Sequence, residues 1–314
     1  MKKFLLITIS LSAVCAMIAG CKDDGTRKGS TPSIGQSRIK IVTTTGMIAD
    51  IAKNVGGERI EVQALMGAGV DPHLYKATPG DLRKLNNASL VLYNGLHLEG
   101  KMADTLEKMS RKKPSIAVAG EIPKSQLLTF AAAPEFPDPH VWFDIKMWMF
   151  AVEKTRDELV KLDPTHHVVY KSNADTYLKK LERMHQYAIE KIATIPRKQR
   201  VLVTAHDAFG YFGKAYDIEV KGLQGISTAT EASLQDVQRI VKLLASRKVK
   251  AVFVESSVPR RTVEAVVAGS RAKGHEVVIG GELFSDAMGK SGTPEGTYLG
   301  MVKHNVDTIV KALR

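Results

Sequence analysis

Two stretches of this chain present the same triplet. Asp71-Pro72-His73 and Asp138-Pro139-His140 each place an imidazole directly after a proline, and two apolar residues follow in both cases. Proline fixes its own φ and pushes the residue before it toward extended backbone, so each triplet reads as a rigid loop presenting a histidine. A third histidine, His206, closes the run Val201-Leu202-Val203-Thr204-Ala205, where a buried strand should stop. Asp286 follows a second strand-like run, Leu283-Phe284-Ser285. Neutral imidazole and carboxylate are ordinary donors to zinc and its first-row neighbours. These four side chains are therefore expected to meet around one divalent transition metal ion, Zn2+ or Mn2+, with Fe2+ a third candidate.

The four positions lie far apart and match no local ligand motif, so tertiary structure must assemble the site. Placement argues for it: each residue follows a strand or sits in a strand-terminal loop. A single histidine after a strand has a duller use as a core or capping residue; the duplicated rigid presentation weighs against that use for His73 and His140. Three neutral imidazoles and one carboxylate around a divalent ion sum to about +1, and four protein donors leave no bound water to activate. That is chemistry for holding an ion. Around the site, Asp71 and Asp138 are expected to cap adjacent amides, and Asp207 and Glu255 are candidate partners for the imidazoles. Trp142, Trp148, Phe209, Tyr211 and Phe212 are expected to wall the site off from water.

The elements that must position these groups alternate. Strands are expected at 39–44, 59–65, 89–93 and 115–118, with helices at 46–55, 79–87 and 98–109 between them. Thr78-Pro79-Gly80-Asp81 is a helix start, with proline in the first turn and an acid able to complete a capping box. After a helix at 145–162 the alternation resumes, with strands at 200–205, 219–223, 250–254 and 275–279. Helices are expected at 206–216, 233–246, 259–273 and 293–313. Strand-helix-strand order implies parallel α/β sheets, whose ligand sites lie beyond the carboxyl ends of the strands.

From Pro164 to Ile195 there is no glycine and no interior proline, and apolar residues step by three and four from Tyr170 to Ile195. One continuous helix of about 48 Å is expected there, in preference to two helices broken near Asn173. A helix of that length joins two lobes. The expected fold class is thus α/β, two (β/α) lobes of residues 39–163 and 197–314 joined by a linking helix at 164–196.

The chain has 314 residues, 44% of them hydrophobic, enough for two such cores. Lys2, Lys3 and the apolar run that follows, ending Ile18-Ala19-Gly20-Cys21, read as an export signal over residues 1–20. Cys21 after Ala19-Gly20 is similar to a bacterial lipobox, so Cys21 is expected to be lipidated and to anchor the chain to a membrane; an ordinary signal peptide with an incidental cysteine is the alternative. Residues 22–37, rich in Gly, Ser, Thr and charge, read as a flexible tether. Cys15 lies in the removed segment, so no disulfide is expected. The net charge of +12 comes without a basic cluster interleaved with aromatics, and an exported protein does not meet nucleic acid, so no nucleic-acid partner is expected.

The segment Val201-Leu202-Val203-Thr204-Ala205-His206-Asp207-Ala208-Phe209-Gly210-Tyr211-Phe212 resembles the cluster A-I metal-binding solute-binding proteins of ABC importers, closest to their Tro type. The resemblance extends to 69–75, 138–144, 220–225, 253–257 and 280–289, and covers the chain from Ile39 onward. It implies two α/β lobes bridged by a rigid helix, with metal bound between them by the residues matching His73, His140, His206 and Asp286. It also implies delivery to a membrane permease driven by a cytoplasmic ATPase. The chain is expected to be a monomer. Manganese-dedicated members usually have Glu at the third ligand position, where this chain has His206. Zinc-dedicated members often carry a His/Asp/Glu-rich loop before the second ligand, yet 124–136 holds no histidine and one acid.

Two other functions would use the same residues. An exported zinc metallohydrolase would need an open coordination position and a nearby base, and no His-Glu-x-x-His helix or nucleophile elbow accompanies the histidines. A surface adhesin would be non-enzymatic, like the carrier, but there is no adhesive repeat.

Overall fold

The computed structural model describes residues 38–129 and 136–314. Cys21, the export signal and the tether fall outside the described residues. The N-terminal half opens with β1 (Ile39–Thr43), α1 (Gly46–Gly56), β2 (Ile60–Ala64), α2 (Pro79–Asn87), β3 (Leu90–Tyr93), α3 (Ala103–Ser110) and β4 (Ser115–Ala117). The four strands form one parallel sheet in the order β2-β1-β3-β4, with Ile41 beside both Val62 and Leu90. α2 starts as its sequence dictates: the Thr78 hydroxyl accepts from the Asp81 N–H at 3.2 Å, and the Asp81 carboxylate accepts from the Thr78 N–H at 3.0 Å.

α4 (Ile145–Leu162) leads through a short 3-10 turn at Pro164–His166 into α5 (His167–Ala193), 27 residues and about 40 Å long. The helix is continuous through Asn173, whose side-chain amide instead reaches the Val55 carbonyl at 3.0 Å and ties α5 to the end of α1. Tyr170, Ala174, Tyr177, Leu181, Ala188 and Ile192 form its buried stripe. The C-terminal half follows: β5 (Val201–His206), α6 (Gly210–Tyr216), β6 (Glu219–Gln224), α7 (Leu234–Arg247), β7 (Ala251–Glu255), α8 (Arg261–Ala272), β8 (Val278–Leu283) and α9 (Tyr298–Leu313). Here the strands pair in parallel as β5-β6 and β7-β8.

α5 packs on α1 and α4 of the first half and on α6 and α9 of the second. Ile48, Trp148, Tyr177, Leu181, Met301 and Val306 accordingly share one apolar core that runs through both halves. A second core lies between the strands β5 and β7 and the helices α7 and α8, and a third lies under α2 and α3.

Several expectations need correction. The helix expected from Leu98 opens as a 3-10 turn at Gly100–Met102 and becomes α3 only at Ala103. The helix expected from His206 begins at Gly210, because His206 still pairs with Gln224 in the β5-β6 ladder. The last strand runs from Val278 to Leu283 and not over 275–279. Its Gly280-Gly281 pair, which weakens the strand signal, is demanded by packing: a Cβ on Gly281 would lie 2.4 Å from the Thr308 methyl, and one on Gly280 2.7 Å from Ala312. The closing helix starts at Tyr298, preceded by a 3-10 turn at Pro294–Gly296.

Across the α1–α5 contact, the Tyr177 hydroxyl donates to the buried Asp50 carboxylate at 2.6 Å, and burial pushes the Asp50 carboxyl up from its ordinary range. Tyr177→Phe removes that donor and is expected to lower the unfolding free energy by about 1–3 kcal/mol. Urea denaturation should show a lower midpoint at unchanged slope, and an unchanged midpoint would contradict the account.

Candidate metal centre

The two Asp-Pro-His loops fold alike at the backbone. The Asp71 carboxylate accepts the His73 N–H at 2.8 Å and the Asp138 carboxylate accepts the His140 N–H at 2.9 Å, so each acid caps the turn that presents its histidine. His206 is the last residue of β5, and the Thr204 hydroxyl donates to its carbonyl at 2.8 Å. Asp286 lies three residues beyond β8 on a clasped segment. Asn305 of α9 holds both the N–H and the C=O of Phe284 at 2.9 and 2.7 Å, and the Trp142 indole donates to the Ser285 carbonyl at 3.0 Å.

These four elements bring one donor atom each of His73, His140, His206 and Asp286 within 4.8 Å of one another. His73 Nε2 is 3.2 Å from His140 Nε2 and 3.7 Å from Asp286 Oδ2. Asp286 Oδ1 is 3.4 Å from His140 Nε2, and Oδ2 is 3.3 Å from His206 Nε2. Donors held about 2.0–2.1 Å from a tetrahedral ion stand about 3.3–3.4 Å apart, which is close to these separations. All four residues are buried, and His206 Nε2 and both Asp286 carboxylate oxygens have no hydrogen-bond partner. Buried polar atoms without partners, facing a common point, are what a cation satisfies once Nε2 is deprotonated.

Two further carboxylates stand behind the rings. Asp138 Oδ1 lies 2.7 Å from His140 Nδ1, and Glu255, the last residue of β7, places Oε2 2.5 Å from His206 Nδ1 and Oε1 2.9 Å from the His206 N–H. Each pair fixes the tautomer in which Nδ1 carries the proton and Nε2 points inward. With these two acids counted, the charge around a divalent ion becomes −1 in place of the +1 expected from four ligands. Asp138 was expected only to cap its amide; its second role is invisible in the triplet, because Asp71 in the same triplet gives its other oxygen to the Thr228 hydroxyl at 2.5 Å. The Asp207 carboxylate makes no hydrogen bond to either ring among the described residues, and burial followed by the neighbouring Asp138 charge pushes its carboxyl up.

The protonation pattern follows from these neighbours. Burial pulls His140 down, but the Asp138 and Asp286 carboxylates more than offset it and raise it to about 9. His206 likewise stands well above its ordinary value: burial opposes, and Glu255 and Asp286 prevail. Burial would raise Asp286, yet the His206 and His140 imidazoliums hold it well below the usual carboxylate range. His73, with no carboxylate on Nδ1 among the described residues, is lowered by burial to about 4. The aromatic wall stands as expected: Trp142, Trp148, Phe209, Tyr211 and Phe212 are all buried, and His140 meets the Trp142 ring edge-on at 5.2 Å.

The family described as ZnuA, "Zinc-uptake complex component A periplasmic", matches residues 41–312 of this chain. The chain belongs to the ZnuA family. Among its relatives are the "Manganese-binding lipoprotein MntA" of Bacillus subtilis, 50% identical over 297 residues that span 95% of each chain, and the "Zinc-binding protein TroA" of Treponema pallidum, 50% identical over 285 residues, 91% of this chain and 92% of that one. The solved structure of the Treponema protein superposes with a TM-score of 0.86, covering 88% of this chain and 99% of the other. A structure titled as Fe(III)-bound YtgA from Chlamydia trachomatis, 27% identical, superposes at 0.79 over 88% of this chain and 98% of that chain. Family members are solute-binding proteins of ABC importers and not enzymes.

At neutral pH the raised His140 and His206 carry protons on Nε2 that an incoming ion must displace. Zinc added to metal-free protein is therefore expected to release protons, and its apparent affinity should climb with pH through the neutral range at least to about 9, where His140 loses its proton. Calorimetry in buffers of different ionisation enthalpy measures both; pH-independent binding without proton release would contradict the assigned charges.

Proposed function

We propose that this chain is an extracytoplasmic lipoprotein that binds one divalent transition metal ion through His73, His140, His206 and Asp286 and hands it to an ABC permease. The supporting observation is the buried set of inward-facing Nε2 and carboxylate atoms at tetrahedral spacing, two of its rings braced by Asp138 and Glu255. Four protein donors close the coordination sphere, which suits carriage and leaves a hydrolase no position for its water. The relatives' printed cargoes, manganese and zinc, are both compatible with three nitrogens and a carboxylate. Zinc and manganese, with ferrous iron third, are therefore the proposed cargo.

In this reading Cys21 carries the lipid, residues 22–37 tether the body to the membrane, and the monomer presents two lobes, 39–163 and 197–314, bridged by the helix at 164–196. The ATP-driven permease is the partner, as for the relatives named as metal ABC transporter substrate-binding lipoproteins.

Alanine at His73, His140, His206 or Asp286 is expected to weaken zinc and manganese binding by more than about 100-fold, while Asp138→Asn and Glu255→Gln cost about 10–100-fold. Chelator-competition titrations measure this, with circular dichroism to verify folding. Unchanged affinity in two of the four ligand variants would overturn the assignment. Metal uptake by cells with and without the chain, for zinc, manganese and iron separately, tests the transport role, and equal uptake of all three would overturn it.

A further inference from the structure

Among the described residues four non-glycine positions have left-handed backbone: Leu96 (φ 53°), His97 (φ 64°), Asp217 and Lys248. The last two end helices α6 and α7, a common place for that conformation. Leu96 and His97 end no helix, and with Gly95 (φ 85°) they make three successive left-handed residues just past β3. Such backbone is costly for side chains with a Cβ and persists only where its surroundings enforce it.

What enforces it is Glu99, a carboxyl 3% exposed. Oε1 accepts the Asn94 N–H at 2.7 Å and the Thr44 hydroxyl at 2.7 Å, and Oε2 accepts the Gly95 N–H at 3.2 Å. The carboxylate thus closes the turn 94–99 onto its own start and pins it to the end of β1. A buried carboxylate served only by neutral donors is expensive to keep, and an amide could not accept at both oxygens. One contact of the turn reaches the metal site. The Asn94 side-chain amide donates to the Pro139 carbonyl at 3.0 Å, on the residue immediately before His140. Asn94 is 1% exposed, and the same amide also donates to the Gly95 carbonyl at 3.1 Å.

We propose that Glu99 is a positioning residue of the metal site, acting through the turn it clamps and through Asn94 on the Pro139 carbonyl to fix the loop that presents His140. Asp138 orients the His140 ring from its Nδ1 side, whereas Glu99 and Asn94 set where the backbone carrying that ring stands. The inference rests on the metal-binding reading above and deepens it.

Cobalt(II) is the probe, titrated into metal-stripped wild-type, Glu99→Gln and Asn94→Ala proteins and followed by visible d–d absorption and chelator competition. Glu99→Gln replaces one acceptor oxygen by a donor facing N–H groups; Asn94→Ala leaves that carboxylate in place and removes the amide's bonds to the Pro139 and Gly95 carbonyls. Both variants are expected to bind cobalt about 10–100-fold more weakly and with shifted d–d bands, since His140 no longer holds its place in the ligand set. If both show wild-type bands and affinity, with only a lower melting temperature, Glu99 is structural and the inference is overturned. Should Glu99→Gln not fold, the Asn94→Ala spectrum decides between these outcomes. A wild-type protein that takes up no cobalt, zinc or manganese would instead overturn the metal-carrier reading itself.

Discussion

Asp286 cannot be satisfied by the protein alone. Its two oxygens stand 3.3 to 3.7 Å from three imidazole Nε2 atoms in a region closed to solvent, and neither oxygen completes a hydrogen bond. A carboxylate so placed demands positive charge, because an unpaired buried anion is far costlier than an exposed one. Two kinds of positive charge fit: protons on His140 and His206, or one cation among all four groups. The Asp138 and Glu255 carboxylates behind the rings favour either choice, since each stabilises the side chain it touches when more positive charge lies beyond it. The site is therefore poised between proton-filled and metal-filled forms, and cannot be left without charge.

Everything around it serves to hold the atoms in this unfavourable proximity. β5 ends on His206 and β7 on Glu255, so two neighbouring strand termini deliver a ligand and its brace side by side. Gly222 of β6 lets the third strand end come close, since a Cβ there would lie 2.5 Å from the Asp207 amide nitrogen. The Asp-Pro-His loops add stiffness from the opposite half, and the core shared along α5 keeps the two halves in register. The Tyr211 hydroxyl, on α6, donates to the Asp138 carbonyl at 2.8 Å, and the Tyr298 hydroxyl, on α9, donates to the Trp142 carbonyl at 2.6 Å. Both bonds carry the C-terminal half's side chains onto the loop that bears His140.

Much of this was legible before any coordinates. Strand-helix alternation, the capping box at Thr78, the range of α4 and the unbroken long helix all follow from local patterns that tertiary context did not override. The four residues now found together were named from loop rigidity and strand ends, which are local properties too. What escaped was set by distant chain. The start of α6 was misplaced because ladder pairing with Gln224 keeps His206 extended, and β8 was misplaced because its glycines answer to α9 and not to strand propensity. Asp138 and Asp71 occupy identical triplets, yet only one backs an imidazole; Thr228, far along the chain, takes the oxygen of the other. Of the two acids expected to back an imidazole, Glu255 does so, placed by the adjacency of β5 and β7, and Asp207 does not among the described residues.

The three imidazoles are consequently unequal, and the inequality has a direction. His140 and His206 are completely buried, each with a carboxylate on Nδ1, so their rings are fixed whether the Nε2 partner is a proton or a metal. His73 has no carboxylate behind it among the described residues, keeps a 6% exposure, and lines a cavity of about 440 Å³ together with Leu96, His97 and Asp207. Its lowered proton affinity leaves it neutral, with Nε2 placed 3.2 Å from His140 Nε2 to accept that ring's proton, at the side of the site that solvent can approach. An ion arriving from that side meets the one imidazole that needs no deprotonation, and the two that must shed protons lie beyond it. A bound ion would displace protons from His140 and His206 but none from His73, so its affinity would fall as the pH falls. A carrier that must both capture and surrender its ion is served by such a gradient better than by three equivalent ligands.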